Sequence, residues 1–211
     1  ISTFSTSEYG ETNPSHAPYF EIEYYESNGI SDTYDYHTAD AGRAGKVYVN
    51  DFTGQLYIER DELGIDGNVM PVHIKRYYSE LGINSLTNFI SIAFSAYGPG
   101  WTMNYCRWLE YNNLMGDGRE TILYLNEKGN AVYFEKTDEI KDGKRKWREM
   151  HFEYIGDTGC TLWMPTSVES AVADNYDKIT IEESNGQILK FNSTGALKEI
   201  VSAKNSSDKI T

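Results

Sequence analysis

Four histidines (His16, His37, His73 and His151), two cysteines (Cys106 and Cys160) and 32 acidic residues are the groups with which this chain could do acid–base, nucleophilic or metal chemistry. The histidines lie far apart, and His73 sits in the alternating run Val72-His73-Ile74, where an ordinary strand side chain is the plain reading. A Ser-His-Asp set is recognised by geometry rather than by order along a chain, and the sequence has no G-x-S-x-G elbow to suggest one. It also lacks a phosphate loop and a G-x-G-x-x-G turn between a strand and a helix. Cys106 and Cys160 are 54 residues apart with no C-x-x-C and no nearby histidine pair. That argues against zinc and leaves both a disulfide and two free thiols open. Adjacent carboxylates such as Glu21 with Glu23, Asp61 with Glu62, and Glu182 with Glu183 could suggest glycoside hydrolysis, but that chemistry depends on separation in space. The stretch Asp61 to Asn68 offers oxygen ligands and two glycines without the register of a calcium loop, so a solvated loop is expected there. No catalytic residue, cofactor-binding residue or metal ligand is assigned, and no cofactor is expected.

The charge balance narrows the partners. Nineteen basic against 32 acidic residues give a net charge of −13, which opposes both a nucleic-acid backbone and an anionic membrane surface. The stretch from Lys136 to Met150 is locally basic, but by six charges against four, which is too few for a nucleic-acid site. Asp142-Gly143 at its centre predicts a hairpin tip that these charges solvate. No run approaches the roughly 20 apolar residues of a membrane helix. Hydrophobic residues make up 39% of the chain, enough for a core, and aromatics make up 14%, which favours strands. Tyr and Trp also stack on sugar rings, so a carbohydrate or cell-wall-binding β-module is the alternative function. Tyr48, Tyr57, Tyr105, Trp108, Tyr124 and Tyr133 alternate with apolar neighbours, however, as core residues do.

The elements that would carry any site are short strands. Tyr19 to Tyr24 alternates with period two, and residues 27–44 are polar without periodicity and read as a linker. Strands are predicted at Val47–Val49, Gln55–Arg60, Met70–Tyr78, Ile90–Ala96, Trp101–Tyr111, Glu120–Leu125, Ala131–Lys136, Lys146–Tyr154, Cys160–Met164, Asp177–Glu182, Gln187–Phe191 and Ala196–Val201. Spacings near 8 to 12 residues with 18 glycines mark an all-β chain of antiparallel meander and hairpin sheets, with a partial sandwich. Short helices are predicted only within Leu81–Phe89 and Val168–Asp174. Pro99 removes a backbone donor from Gly98-Pro99-Gly100-Trp101, which reads as a tight turn delivering Trp101 into the core. Near the end the sequence echoes itself. Tyr176-Asp177-Lys178-Ile179-Thr180 returns as Ser207-Asp208-Lys209-Ile210-Thr211 at an offset of 31, and the turn-plus-strand units at Asn185-Gly186 and Thr194-Gly195 repeat at an offset of nine. Such units must stack on neighbours to bury an apolar face.

Four motifs then carry a resemblance. Asp40-Ala41-Gly42-Arg43-Ala44-Gly45, Tyr48 to Leu56, Met70 to Tyr78 and Tyr97 to Tyr105 are similar, in order and spacing, to the opening of RHS/YD-repeat proteins. That family begins with a "TGNL" strand pair, an "R-x-Y-N-S" strand and a "G-x-GW" turn. Gln55 replaces the usual Asn here, and Tyr78-Ser79 stands where Asn-Ser is common. Gly129 to Phe134 resembles the strand that follows. Residues 1–26 resemble the closing strand of a DNRLRE-type β-domain. The resemblance implies Gly42, Gly45, Asn50, Thr53, Gly54, Arg76, Tyr77, Gly98, Gly100 and Trp101 as structural motif residues. It implies a linker at 27–44, an N-terminal β-domain at 45–174, and the first YD-like hairpins of a β-spiral at 175–211. It implies a non-enzymatic segment of a large bacterial protein, secreted or wall-associated, that starts or caps a β-shell. Its partner would be the rest of its own parent chain, with cell-wall glycan as the second candidate. It would act as a single copy, with no nucleic acid and no membrane span. The opening Ile1 fits a piece of a longer protein.

Overall fold

The computed structural model describes residues 29–30, 34–66, 70–80, 97–112, 120–150 and 158–211. Every strand pair among them is antiparallel and joins consecutive strands, so the chain is all-β. A five-stranded sheet contains β1 (Tyr36–Asp40), β2 (Lys46–Asn50), β3 (Leu56–Ile65), β4 (Val72–Ser79) and β5 (Trp101–Met103) in chain order. A nine-stranded sheet follows, again in chain order. It contains β6 (Trp108–Asn112), β7 (Thr121–Leu125), β8 (Ala131–Lys141), β9 (Lys144–Glu149), β10 (Thr161–Pro165), β11 (Thr180–Glu182), β12 (Ile188–Phe191), β13 (Leu197–Val201) and β14 (Lys209–Ile210). No helix among the described residues is long and apolar enough to cross a membrane.

Turn chemistry makes the meander. Asp142 and Gly143 both adopt positive φ, the mirror-image two-residue turn whose twist suits flanking strands, and they join β8 to β9. Three other hairpins use loops of one size, closed by Asn126 N–H to Asn130 C=O, Glu183 N–H to Gln187 C=O, and Asn192 N–H to Ala196 C=O at 2.8–2.9 Å. In the first and third loops the Asn side-chain oxygen accepts two backbone N–H groups of its own turn. In the middle loop the same position is Glu183, whose carboxylate is engaged elsewhere. The Asn185-Gly186 hairpin is therefore a three-residue turn, with positive φ only at the glycine.

The interior of the nine-stranded sheet takes Leu109, Ile122, Tyr124, Phe134, Trp147, Leu162, Met164, Ile181, Leu189 and Phe191, all at most 1% exposed. Burying each large apolar side chain is worth about 1.5–3 kcal/mol against leaving it in water. Strand β7 is buried on both faces, including Leu123 and Leu125 on the side away from this cluster. The sheet curls until its first strand meets one of its last turns. Leu109 N–H donates to Gly195 C=O, Leu197 N–H donates to Arg107 C=O, and Tyr111 N–H donates to the Tyr176 hydroxyl, so both outward N–H groups of β6 and the carbonyl just before it are taken. Gly195 is required at this closure. Its φ is +89°, and a Cβ there would stand 2.3 Å from the Leu109 carbonyl oxygen.

Several expectations change. The stretch 27–44 contributes β1 and a 3-10 turn at Gly42–Ala44; β1 has no alternation because nearly all of it is exposed. Trp101–Tyr111 is two strands in different sheets rather than one. Trp101 does not enter either buried cluster and is half-buried on the edge strand. Residues 61–65 belong to β3 rather than to a loop, and within 177–182 only Thr180–Glu182 is strand, after a 3-10 turn at Tyr176–Lys178. Val168–Asp174 lies in a 3-10 run, Thr166–Asp174. The strand Ile90–Ala96, the helix Leu81–Phe89, residues 1–26, His151 and the end of the Lys146–Tyr154 strand lie outside the described residues.

Gly195→Ala is expected to lower stability by about 2–4 kcal/mol, from positive φ and overpacking together, read as a lower urea midpoint with an unchanged slope. A second expectation concerns β14. Glu199 receives hydrogen bonds from Lys209 and Lys190, which hold its carboxyl down at about 2, and so it ties β12, β13 and β14 together. A depressed carboxylate contributes stability that is complete above its unfolded value and lost as pH falls through the folded one. The β14 amide signals in an NMR titration should therefore move from about pH 4.5 down to about 2, and Glu199→Gln should abolish that window.

Candidate functional site

The place where the chain leaves one sheet for the other gathers the most polar chemistry. β5 runs antiparallel to β4 until Asn104, whose N–H still donates to Lys75 C=O. There the side chain takes over from the backbone. The Asn104 amide oxygen accepts Lys75 N–H at 3.0 Å, and its amide nitrogen donates to His73 C=O at 2.8 Å, so one carboxamide replaces the next peptide unit of the ladder. The backbone is thus free to turn, and Cys106 N–H closes that turn on Met103 C=O. Arg107 follows at the head of β6.

Arg107 is 5% exposed, and all three of its guanidinium nitrogens donate. Nε donates to the Asn104 carbonyl at 3.0 Å, Nη1 to Glu183 at 2.6 Å and to the Tyr124 hydroxyl at 3.3 Å, and Nη2 to Glu127 at 2.9 Å. Burial works against the charge, but Tyr124 and the two carboxylates outweigh it and hold the guanidinium more firmly protonated than usual. Glu183 is pushed the other way, since burial raises its carboxyl by more than Arg107 lowers it. Beside this cluster lies an open cleft of ≈ 460 Å³, lined among others by Glu59, His73, Lys75, Arg107, Glu127 and Ile210. Lys75 reaches Glu59 at 2.6 Å and Asp61 at 3.4 Å, and the hydrogen bond to Glu59 holds its ammonium well above the usual lysine range. Burial pushes the Tyr77 and Tyr124 phenols up. Near neutral pH these groups hold their protons, so the cluster fixes charge and geometry.

The expected motif residues fall into four structural roles, all in the five-stranded sheet and its turns. Arg76, Gly98, Gly100 and Trp101 come together. The Arg76 guanidinium lies 4.8 Å from the Trp101 ring centre and donates to Tyr97 C=O, Gly98 C=O accepts Trp101 N–H, and Gly100 C=O accepts Ser79 N–H. Tyr78 packs on the same indole at 5.4 Å. Asn50, Thr53 and Gly54 build the β2–β3 turn, where the Asn50 side-chain oxygen accepts Phe52 N–H and Thr53 N–H. Gly42 and Gly45 flank the β1–β2 turn, and a Cβ on Gly45 would stand 2.2 Å from the Glu59 carbonyl oxygen. Tyr77 is buried on the face opposite Arg76, with Tyr57 and Ile30.

The remaining candidates disperse. His73 is 3.8 Å from Asp66, and His37 pairs with Asp51 on the surface. Glu182 accepts the Trp163 indole N–H, while its neighbour Glu183 faces Arg107. Cys106 and Cys160 are free thiols, and burial pushes Cys160 up to about 11, which makes it a poor nucleophile. Among the described residues no three potential metal ligands converge. The cations of the basic stretch pair locally, Arg145 with Glu169 and Arg148 with Glu135. Sequence reading missed Asn104 and Arg107, and weighed Glu183 only as the neighbour of Glu182 in a carboxylate pair. The available signal was Arg107 as the one basic residue in the aromatic-rich run Trp101–Tyr111.

Arg107→Met is expected to cost about 3–5 kcal/mol, because Glu183 is left buried without its cation, and adding Glu183→Leu should recover much of that loss in a denaturant double-mutant cycle.

Comparison with known proteins identifies one family. Residues 47–134, from β2 into β8, match the family described as a domain of unknown function, DUF6531, and so take in eight of the ten motif residues, all but Gly42 and Gly45. No curated protein and no solved structure matches the chain.

Proposed function

We propose that this chain is a non-enzymatic scaffold segment of a large secreted or wall-associated RHS/YD-repeat protein, and that its nine-stranded sheet begins a β-shell. The observation that carries the reading is the C-terminal hairpin array. β11, β12, β13 and β14 add one after another, the first two turns equivalent and the third two residues longer, with side chains of each strand reaching the shared core, as repeats that depend on their neighbours do. The motif residues support it too, since every one of them shapes a turn, a strand crossing or a packed ring rather than lining the cleft, Tyr77 excepted. Among the described residues the aromatics singled out in the sequence are not exposed: Tyr57 and Tyr124 are buried, and Tyr48, Tyr105, Trp108 and Tyr133 are half-buried. That distribution favours a shell over a sugar-stacking platform.

The reading predicts that β14 can template further strands. A chain extended after Thr211 by a second copy of residues 180–201 should gain hydrogen-exchange protection at Lys209 and Ile210, with a higher melting temperature. Unchanged protection at both amides would count against it. Saturable binding of the unmodified chain to one sugar class on a glycan array, lost on replacing Tyr34 or Tyr97, the exposed tyrosines among the described residues, would turn the assignment to the glycan-binding alternative.

A further inference from the structure

We propose that the cleft beside the Arg107 cluster is a binding site for a primary ammonium on a straight aliphatic stem, the group that a lysine side chain or a small free amine presents. The residue that points to a ligand is Tyr77. It is 5% exposed, it lines the cleft, and its hydroxyl makes no hydrogen bond with any described residue. A phenol buried without a partner carries a desolvation cost that a polar ligand can offset. Among the ten expected motif residues it is also the one that lines the cleft.

The surroundings of that hydroxyl select a cation. Apart from the pair of His73 with the solvent-exposed Asp66, the described residues of the cleft and their ion-pair partners set four carboxylates, Glu59, Asp61, Glu127 and Glu183, against three cations, Lys75, Arg107 and Lys128. One added positive charge brings them to balance. Burial raises the Tyr77 phenol most, and Glu59 and Glu127 each raise it by more than Lys75 lowers it, so the field at its oxygen is negative. Lys75 and Arg107 are already committed, the first to Glu59 and Asp61, the second to Glu127, Glu183, Tyr124 and the Asn104 carbonyl. Acceptors are left over. The Tyr77 oxygen is one, and Glu127 is another, because among the described residues only its Oε2 receives a hydrogen bond. An incoming ammonium would donate to these. Met70, Ile200 and Ile210 line the same cleft and offer methylene groups an apolar wall, which a bare inorganic cation could not use. The net charge of −13 draws cations towards the chain. A five-carbon stem is small, so a dissociation constant of about 1–10 mM is expected. The inference goes beyond the scaffold reading and does not depend on it.

Titration of the full chain with n-pentylammonium chloride to about 50 mM, followed by amide NMR at constant ionic strength and about pH 8, tests it. Saturable shifts should appear at Tyr77 and its neighbours in the cleft, and neither n-pentanol nor potassium chloride should reproduce them. Tyr77→Phe deletes only the unpartnered hydroxyl, so the variant should fold, melt at or above the wild-type temperature without the amine, and bind n-pentylammonium about tenfold more weakly. Parallel titrations with cadaverine and with Nα-acetyl-lysine N-methylamide distinguish the sources. Binding of the blocked lysine supports a polypeptide donor, and binding of cadaverine without the blocked lysine supports a free amine. No saturation by n-pentylammonium, equal shifts with n-pentanol or potassium chloride, or a folded Tyr77→Phe that binds like the wild type would each overturn the proposal.

Discussion

A buried guanidinium has to be neutralised where it lies, and the position of Arg107 dictates much of what surrounds it. It sits at the first residue after the chain has left the five-stranded sheet, so its partners must come from wherever the second sheet ends nearby. They come from the β7–β8 turn through Glu127, from the end of β11 through Glu183, and from the interior through the Tyr124 hydroxyl. Glu127 and Glu183 are brought to one cation only because the nine-stranded sheet curls. The curl in turn depends on a glycine at position 195, where the turn presses against the β6 backbone. The charge and the curvature are two views of one constraint.

Asn104 is the complementary device. Strand β5 could not end beneath β4 without stranding the Lys75 N–H and the His73 carbonyl, and unpaired buried backbone groups are costly. One carboxamide satisfies both. The carbonyl of the same residue then receives Arg107, which couples the exit from one sheet to the charge at the head of the next. Neither residue takes part in a regular ladder with its side chain, and both are nonetheless needed for the ladders on either side.

Much of the architecture is legible in the sequence, because strands with one dry face alternate and turns need particular residues. Asp142-Gly143, Asn185-Gly186 and the apolar runs of β7, β8 and β12 reveal themselves in this way. β1 does not, since an edge strand exposed on both faces carries no alternation, and Tyr36-His37-Thr38-Ala39-Asp40 reads as coil. The sheet change within Trp101–Tyr111 escapes for a different reason. Its signal is a side chain imitating backbone, and Asn-Tyr-Cys-Arg has no periodic mark to betray that. Trp101 was expected in the core because indoles usually are; its stacking between Tyr78 and Arg76 depends on a contact between strands that no local pattern encodes. The Arg107 cluster joins residues up to 76 apart in sequence, a distance at which only the tertiary structure brings them together.

The sealed outer margin of β6 gives the nine-stranded sheet a polarity. The outward carbonyl at 107 and the outward N–H groups at 109 and 111 already belong to residues 197, 195 and 176, so a further strand would have to displace them. Among the described strands the other margin of this sheet is β14, at its C-terminal end. The closure therefore covers the beginning of the sheet and leaves its two ends unlike, the first strand backed by a turn and the last paired on one side only among the described residues.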